Sequence, residues 1–268
     1  MSEMIIKTIS NNSFSMEYLK FGHGKKTLLI IPGLSIQSVI ASADAIEEAY
    51  MPLTDEFTIF LFDRRKELPK QYSVHDMARD TTEVINALGL RDIYILGASQ
   101  GGAIAMYITA DQPELVRKLI LASTTAIVTE EQFGIFSDWI ILAKAGKREE
   151  LYLSFGKLVY PEEVFEQFKE FFIKAAKSVS DKELERFVIM AESMKNLDIT
   201  AELEKIRCPV LVIGSNDDKV LGPVPSRIIS EHLNPSRTEL YMYNDFGHAI
   251  YDTAPDFKKR ILNYLCEE

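Results

Sequence analysis

The residues best suited to chemistry lie in Gly97-Ala98-Ser99-Gln100-Gly101-Gly102. A serine with glycines two positions before and two after fits a turn too tight for larger side chains there. Such a turn holds the serine in a strained backbone conformation with its hydroxyl exposed. A glycine-rich turn can instead cradle a phosphate, but neither Gly-x-Gly-x-x-Gly nor a Walker lysine is present. A serine hydroxyl becomes a nucleophile only beside a base. The chain has four histidines: His23, His75, His232 and His248. The first lies in the polar turn Gly22-His23-Gly24-Lys25, His75 in the first turn of a helix, and His232 near the end of another. All three read as surface residues. His248, in Asp245-Phe246-Gly247-His248-Ala249, follows a strand and reads as the base.

An imidazole base needs a carboxylate to fix its tautomer and balance its charge. Asp217 and Asp218, just past the apolar run 209–213, are both placed for this, and the residues alone leave the two open. The developing oxyanion needs donors. The Gln100 N–H, directly after the serine, is one. The Leu34 N–H, in the loop Pro32-Gly33-Leu34-Ser35, is the second candidate.

These groups require a frame that brings them to one edge. Continuous apolar runs at 27–31, 57–62, 93–96 and 119–122 suit strands buried on both faces of a sheet. Helical patterns at 74–88, capped by Ser73, and at 100–110 lie between them, so βαβ units and a mainly parallel sheet are expected. Residues 4–9 and 14–20, joined by Asn11-Asn12-Ser13, read as an N-terminal hairpin. From 128 to 205 the strand signal stops and aromatic-rich helical segments take over. Phe165, Phe168, Phe172 and Ala175 read there as one packed face. Strands resume at 209–213 and 239–242, and a helix over about 254–265 closes the chain. The expected fold is an α/β core (1–127 and 206–268) carrying an all-helical insertion (128–205).

Composition narrows the functional classes. The formal net charge is −10, and no Lys/Arg stripe offsets it, so nucleic acid and anionic membrane surfaces are not expected partners. No stretch approaches the ~18 apolar residues of a membrane span. Met1-Ser2-Glu3-Met4-Ile5-Ile6-Lys7 has no apolar run of the secretory kind. Cys208 and Cys266 are expected as free thiols in a reducing cytoplasm. The histidines are scattered and no cysteine pair has ligand spacing, so neither metal nor cofactor is expected. A small-molecule substrate is the expected partner, and the oligomeric state stays open.

In the order Ser99, Asp218, His248, the chain resembles the α/β-hydrolase superfamily. Ser73-Val74-His75-Asp76-Met77-Ala78-Arg79-Asp80 resembles the family's helix before the nucleophile strand, and Cys208-Pro209-Val210-Leu211-Val212-Ile213 its acid strand. The family's acid is often followed by Val or Ile two positions on and Pro or Gly at four. Asp218, Val220 and Gly222 match, which selects Asp218 over Asp217. The insertion sits where many members carry a helical cap. Two features differ: Pro32-Gly33 stands for the family's His-Gly, and a loop Asp63-Arg64-Arg65-Lys66 for its glycine-rich segment. Haloalkane dehalogenases and epoxide hydrolases use aspartate where Ser99 stands, so the resemblance is to the serine branch. It implies cleavage of a carboxylic ester through an acyl-enzyme. The alternatives are acyl transfer, C–C bond hydrolysis, perhydrolysis or aminopeptidase chemistry on the same triad, and a non-catalytic ligand-binding use of the fold.

Overall fold

The apolar runs become the middle of an eight-stranded sheet in a computed structural model that describes residues 4–267. The elements in chain order are β1 (Ile5–Ser10), β2 (Ser15–Phe21), β3 (Lys26–Ile31), α1 (Ala43–Tyr50), β4 (Phe57–Arg65), α2 (Val74–Ala87), β5 (Ile93–Ala98), α3 (Gln100–Asp111) and β6 (Val116–Ala122). Four helices follow: α4 (Glu130–Lys144), α5 (Arg148–Val159), α6 (Glu162–Ala176) and α7 (Asp181–Glu192). The remainder is β7 (Val210–Ser215), α8 (Val224–His232), β8 (Thr238–Tyr243), α9 (Ile250–Thr253) and α10 (Phe257–Cys266). The strand order is β1-β2-β4-β3-β5-β6-β7-β8. From β4 to β8 every pairing is parallel, while β1 and β2 add an antiparallel edge.

Strands covered on both faces need no alternation. Every residue of β5 and of β7 is buried. One face packs on α2, α3 and α8, with Met77, Ile85, Ile104 and Ile229 inaccessible. The other packs on α1 and α10 through Tyr50, Phe257 and Ile261. The hairpin forms as its pattern predicts, one residue later at each bound. Asn11 Oδ1 accepts the N–H groups of Ser13 and Phe14 and closes the turn.

The register aligns the carboxyl ends of the strands. Ile31 lies beside Gly97, Ala98 beside Ala122, and Ser215 beside Tyr243. The loops leaving these ends carry Leu34, Ser99, Asp218 and His248, so one edge of the sheet gathers residues up to 214 positions apart in the chain.

Several details differ from expectation. Asp63, Arg64 and Arg65 are not in a loop: they extend β4, because β2 reaches far enough to pair Met16 with Arg65. The terminal helix is two pieces, α9 and α10. Pro255 forces Ala254 into extended backbone (ψ 118°), which breaks the helix there. The packed face read on α6 is narrower than expected. Phe165 is buried, but Phe168 is 46% exposed. Helix α1 was not foreseen; only its first and last residues, Ala43 and Tyr50, are buried, so it lacks an apolar stripe. Residues 1–3 and 268 of the expected core bounds lie outside the described residues.

Candidate active site

Ser99 sits between β5 and α3 with φ 51°, in the left-handed region that a residue with a Cβ rarely adopts. Surrounding contacts hold it there. Its N–H donates to the Ala122 carbonyl (2.9 Å), and its own carbonyl accepts from the Thr124 hydroxyl (2.6 Å). The glycines explain themselves by close approach. A Cβ on Gly97 would lie 2.6 Å from the Gly101 carbonyl, and one on Gly101 would lie 2.0 Å from that of Ile31. The Ser99 side chain caps nothing in α3. Its Oγ lies 2.9 Å from His248 Nε2.

His248 Nδ1 lies 2.8 Å from Asp218 Oδ2, and both side chains are 3% exposed. The other Asp218 oxygen accepts the N–H groups of Val220 (2.8 Å) and Leu221 (3.0 Å), which fixes the carboxylate plane. Asp217 does a different job. It accepts from the Ser215 hydroxyl (2.6 Å) and the Gly247 N–H (2.9 Å), so it ties the loop after β7 to the histidine loop. Against the burial that opposes it, these hydrogen bonds hold its carboxyl below the usual range. The other three histidines are remote: His23 pairs with Asp55, His75 with Asp111, and His232 with the Ile228 carbonyl.

The histidine loop is anchored from the helices between β6 and β7. The Val159 carbonyl, at the last residue of α5, accepts both the His248 and Ala249 N–H groups at 3.0 Å. A helix end leaves such carbonyls without an internal partner.

Both candidate oxyanion donors lie beside Ser99. Gln100 opens α3, where an N–H has no acceptor in a preceding turn. The loop carrying Leu34 runs so close that a Cβ on Gly33 would lie 3.0 Å from Ser99 Cβ. Among the described residues no hydrogen bond engages the Leu34 N–H. The buried Arg64, in β4 rather than in the expected loop, secures this region. Its Nη2 donates to the Pro32 carbonyl (2.7 Å) and lies 3.4 Å from Gln100 Oε1. Burial lowers its pKa to about 10, so it stays charged at neutral pH. Gln100 Nε2 in turn donates to the Met190 carbonyl of α7 (2.8 Å).

A family model described as the α/β-hydrolase fold matches residues 26–140. With the strand order and the turn at Ser99, that decides the fold. The chain has the α/β-hydrolase fold. It is 29% identical over 229 residues to the "Putative carbamate hydrolase RutD" of Agrobacterium fabrum, covering 80% of this chain and 84% of that protein. It is 21% identical to the human "Serine hydrolase BPHL", covering 96% and 85%. An α/β-hydrolase enzyme from a Medee basin deep-sea metagenome library superposes with a TM-score of 0.87 at 20% identity, covering 98% of both chains.

In this α/β-hydrolase fold a cavity of about 360 Å³ opens onto Ser99 and His248. Phe136, Trp139, Phe155 and Phe172 from α4, α5 and α6 form one wall. Tyr152 reaches from α5 to donate to Gln37 Oε1 (2.7 Å) on the opposite loop. Tyr50, Tyr160, Tyr251 and Asp252 line another part. Tyr251-Asp252, three and four positions after His248, resemble part of the family's histidine loop, but nothing in the sequence marks them as lining a cavity. Among the described residues no group of His, Cys, Asp and Glu could hold a metal ion, and no helix is long and apolar enough to cross a membrane.

Proposed function

We propose that this enzyme is a serine hydrolase that cleaves small carboxylic esters through an acyl-enzyme. The observation that carries the reading is the chain of two contacts, Ser99 Oγ to His248 Nε2 at 2.9 Å and His248 Nδ1 to Asp218 Oδ2 at 2.8 Å. Ser99 Oγ attacks the carbonyl carbon while its proton moves to His248 Nε2. Asp218 accepts from Nδ1 and balances the imidazolium. The Gln100 and Leu34 N–H groups receive the oxyanion. As the intermediate collapses, the C–O bond to the alcohol breaks and His248 returns the proton to that oxygen. Water then attacks the acyl-enzyme by the same path in reverse and releases the acid.

Residues 128–205 act in this reading as a helical cap whose aromatic wall receives the apolar part of the substrate. A carbamate is the second reading, favoured by the name of the Agrobacterium relative. The two unpaired cysteines fit a cytoplasmic setting, and the acidic net charge fits neither nucleic acid nor membrane partners. The test is hydrolysis of p-nitrophenyl esters from acetyl to long acyl chains, with a p-nitrophenyl carbamate alongside, by wild type and Ser99→Ala. Ester turnover that disappears in the variant supports the reading. Equal rates in both proteins, or none in either, overturn it.

A further inference from the structure

The charges around the cavity are one-sided. Among the described residues no lysine or arginine lines it, and apart from His248 and the tyrosines its one ionisable side chain is that of Asp252. Asp252 has no ion-pair partner within 4 Å among the described residues. Its one hydrogen bond is accepted from the Tyr160 hydroxyl, at 3.3 Å. Lys258 pulls on Asp252 through charge but forms no ion pair with it within 4 Å. Its Nζ donates to the Tyr251 carbonyl and lies 4.7 Å from the centroid of the Tyr50 ring. Asp252 is accessible by area, yet loss of water around it raises its carboxyl above the usual range, against the opposing pull of Lys258 and Tyr160. Both hold for a group that looks into a cavity rather than out from the surface. Three phenol rings, Tyr50, Tyr160 and Tyr251, line the cavity beside it.

A carboxylate with no ion-pair partner within 4 Å among the described residues, set beside aromatic rings and only partly balanced by Lys258, can still take a direct cationic partner. Aromatic rings attract cations and repel anions through their quadrupole. An anionic substrate would meet Asp252 with nothing to pair its own charge. A substrate with an ammonium group would give Asp252 a direct partner, and the Tyr160 and Tyr251 rings a cation such as Lys258 already gives Tyr50. We propose that the enzyme's preferred esters carry a cationic ammonium group, seated against Asp252 and the three tyrosines while the carbonyl lies at Ser99. This rests on the ester-hydrolase reading and adds the charge of the substrate to it.

The test pairs butyrylcholine with 3,3-dimethylbutyl butyrate, an isostere that replaces the quaternary nitrogen by carbon. In wild type, kcat/KM for the choline ester is expected to exceed that of the isostere about tenfold. In Asp252→Asn the ratio is expected to fall to about one. A ratio isolates charge recognition, because a structural disturbance lowers both rates together. A wild-type ratio of one or less overturns the inference, whether or not the variant folds. A second measurement separates this from failure of the ester reading. Ser99→Ala is titrated calorimetrically with benzyltrimethylammonium and with 3,3-dimethylbutanol. Tighter binding of the ammonium, lost when Asp252→Asn is added, supports the site even if neither ester is cleaved. Equal binding of the two, or none, overturns it.

Discussion

Gly101→Ala tests whether the geometry around Ser99 depends on backbone contact between α3 and the end of β3. The added methyl carbon would lie 2.0 Å from the Ile31 carbonyl oxygen and 2.4 Å from that of Pro32. Contacts below 3.0 Å are essentially never made by real side chains, so one partner must retreat by about 1 Å. Ile31 ends a buried central strand, whereas Pro32 begins the loop that carries Leu34, so the loop is the part that yields. Overpacking of this kind costs about 1–3 kcal/mol of stability. A misplacement near 1 Å of a group that stabilises the transition state costs about 10²-fold in rate. The expected outcome is a folded enzyme with kcat down about 10²-fold and KM changed much less. The control is Gly134→Ala in α4, where a Cβ meets nothing within 4 Å. It should leave kcat alone and raise stability by about 0.5–1 kcal/mol. Ester turnover and thermal unfolding measure both effects. A Gly101→Ala enzyme with near-normal kcat and a cooperative transition would refute the claim that this contact sets the oxyanion donors.

Asp218→Asn should lower kcat by about 10⁴-fold with little loss of structure, because the amide favours the wrong imidazole tautomer. Asp217→Asn should instead lower the unfolding temperature, through weaker bonds to Ser215 and Gly247, with a smaller fall in kcat; the reverse ranking would exchange the roles of the two aspartates. Asp76, Asp217 and Glu183 all have carboxyls held below their usual values by hydrogen bonds, despite opposing burial. Their folded pKa values lie below the unfolded ones, so their stabilisation is complete above the unfolded values of 3.8 and 4.5 and is lost as pH falls through the folded ones. Thermal scans from pH 7 to 3 should show that loss, and Asp76→Asn should flatten it. Burial pushes the Cys208 thiol up to about 12, while Cys266 is exposed, so a thiol reagent at pH 8 should label one cysteine in the folded chain and two after denaturation.

The sheet was legible because its strands are buried on both faces, and runs such as Leu28-Leu29-Ile30-Ile31 have few other uses. The placement of Ser99, His248 and Asp218 was legible because each follows such a run. What escaped was carried by groups whose role depends on distant neighbours. Arg64 reads as an ordinary surface cation until β4 is extended and its guanidinium points under the Pro32 carbonyl. Asp252 carries no pattern of its own, since the tyrosines beside it come from α1, the turn after α5, and α9. A backbone carbonyl such as that of Val159 leaves no mark in a sequence at all.

That carbonyl limits how the protein can be rearranged. With the His248 and Ala249 N–H groups both resting on the end of α5, and the Gln100 side chain resting on α7, the segment between β6 and β7 is part of the frame of the site rather than a detachable cover. Exchanging it for the corresponding segment of a relative to change selectivity would also exchange the support under the imidazole. A graft that keeps a carbonyl in the place of Val159 should keep turnover. One that omits it should leave the sheet folded and the histidine loop adrift.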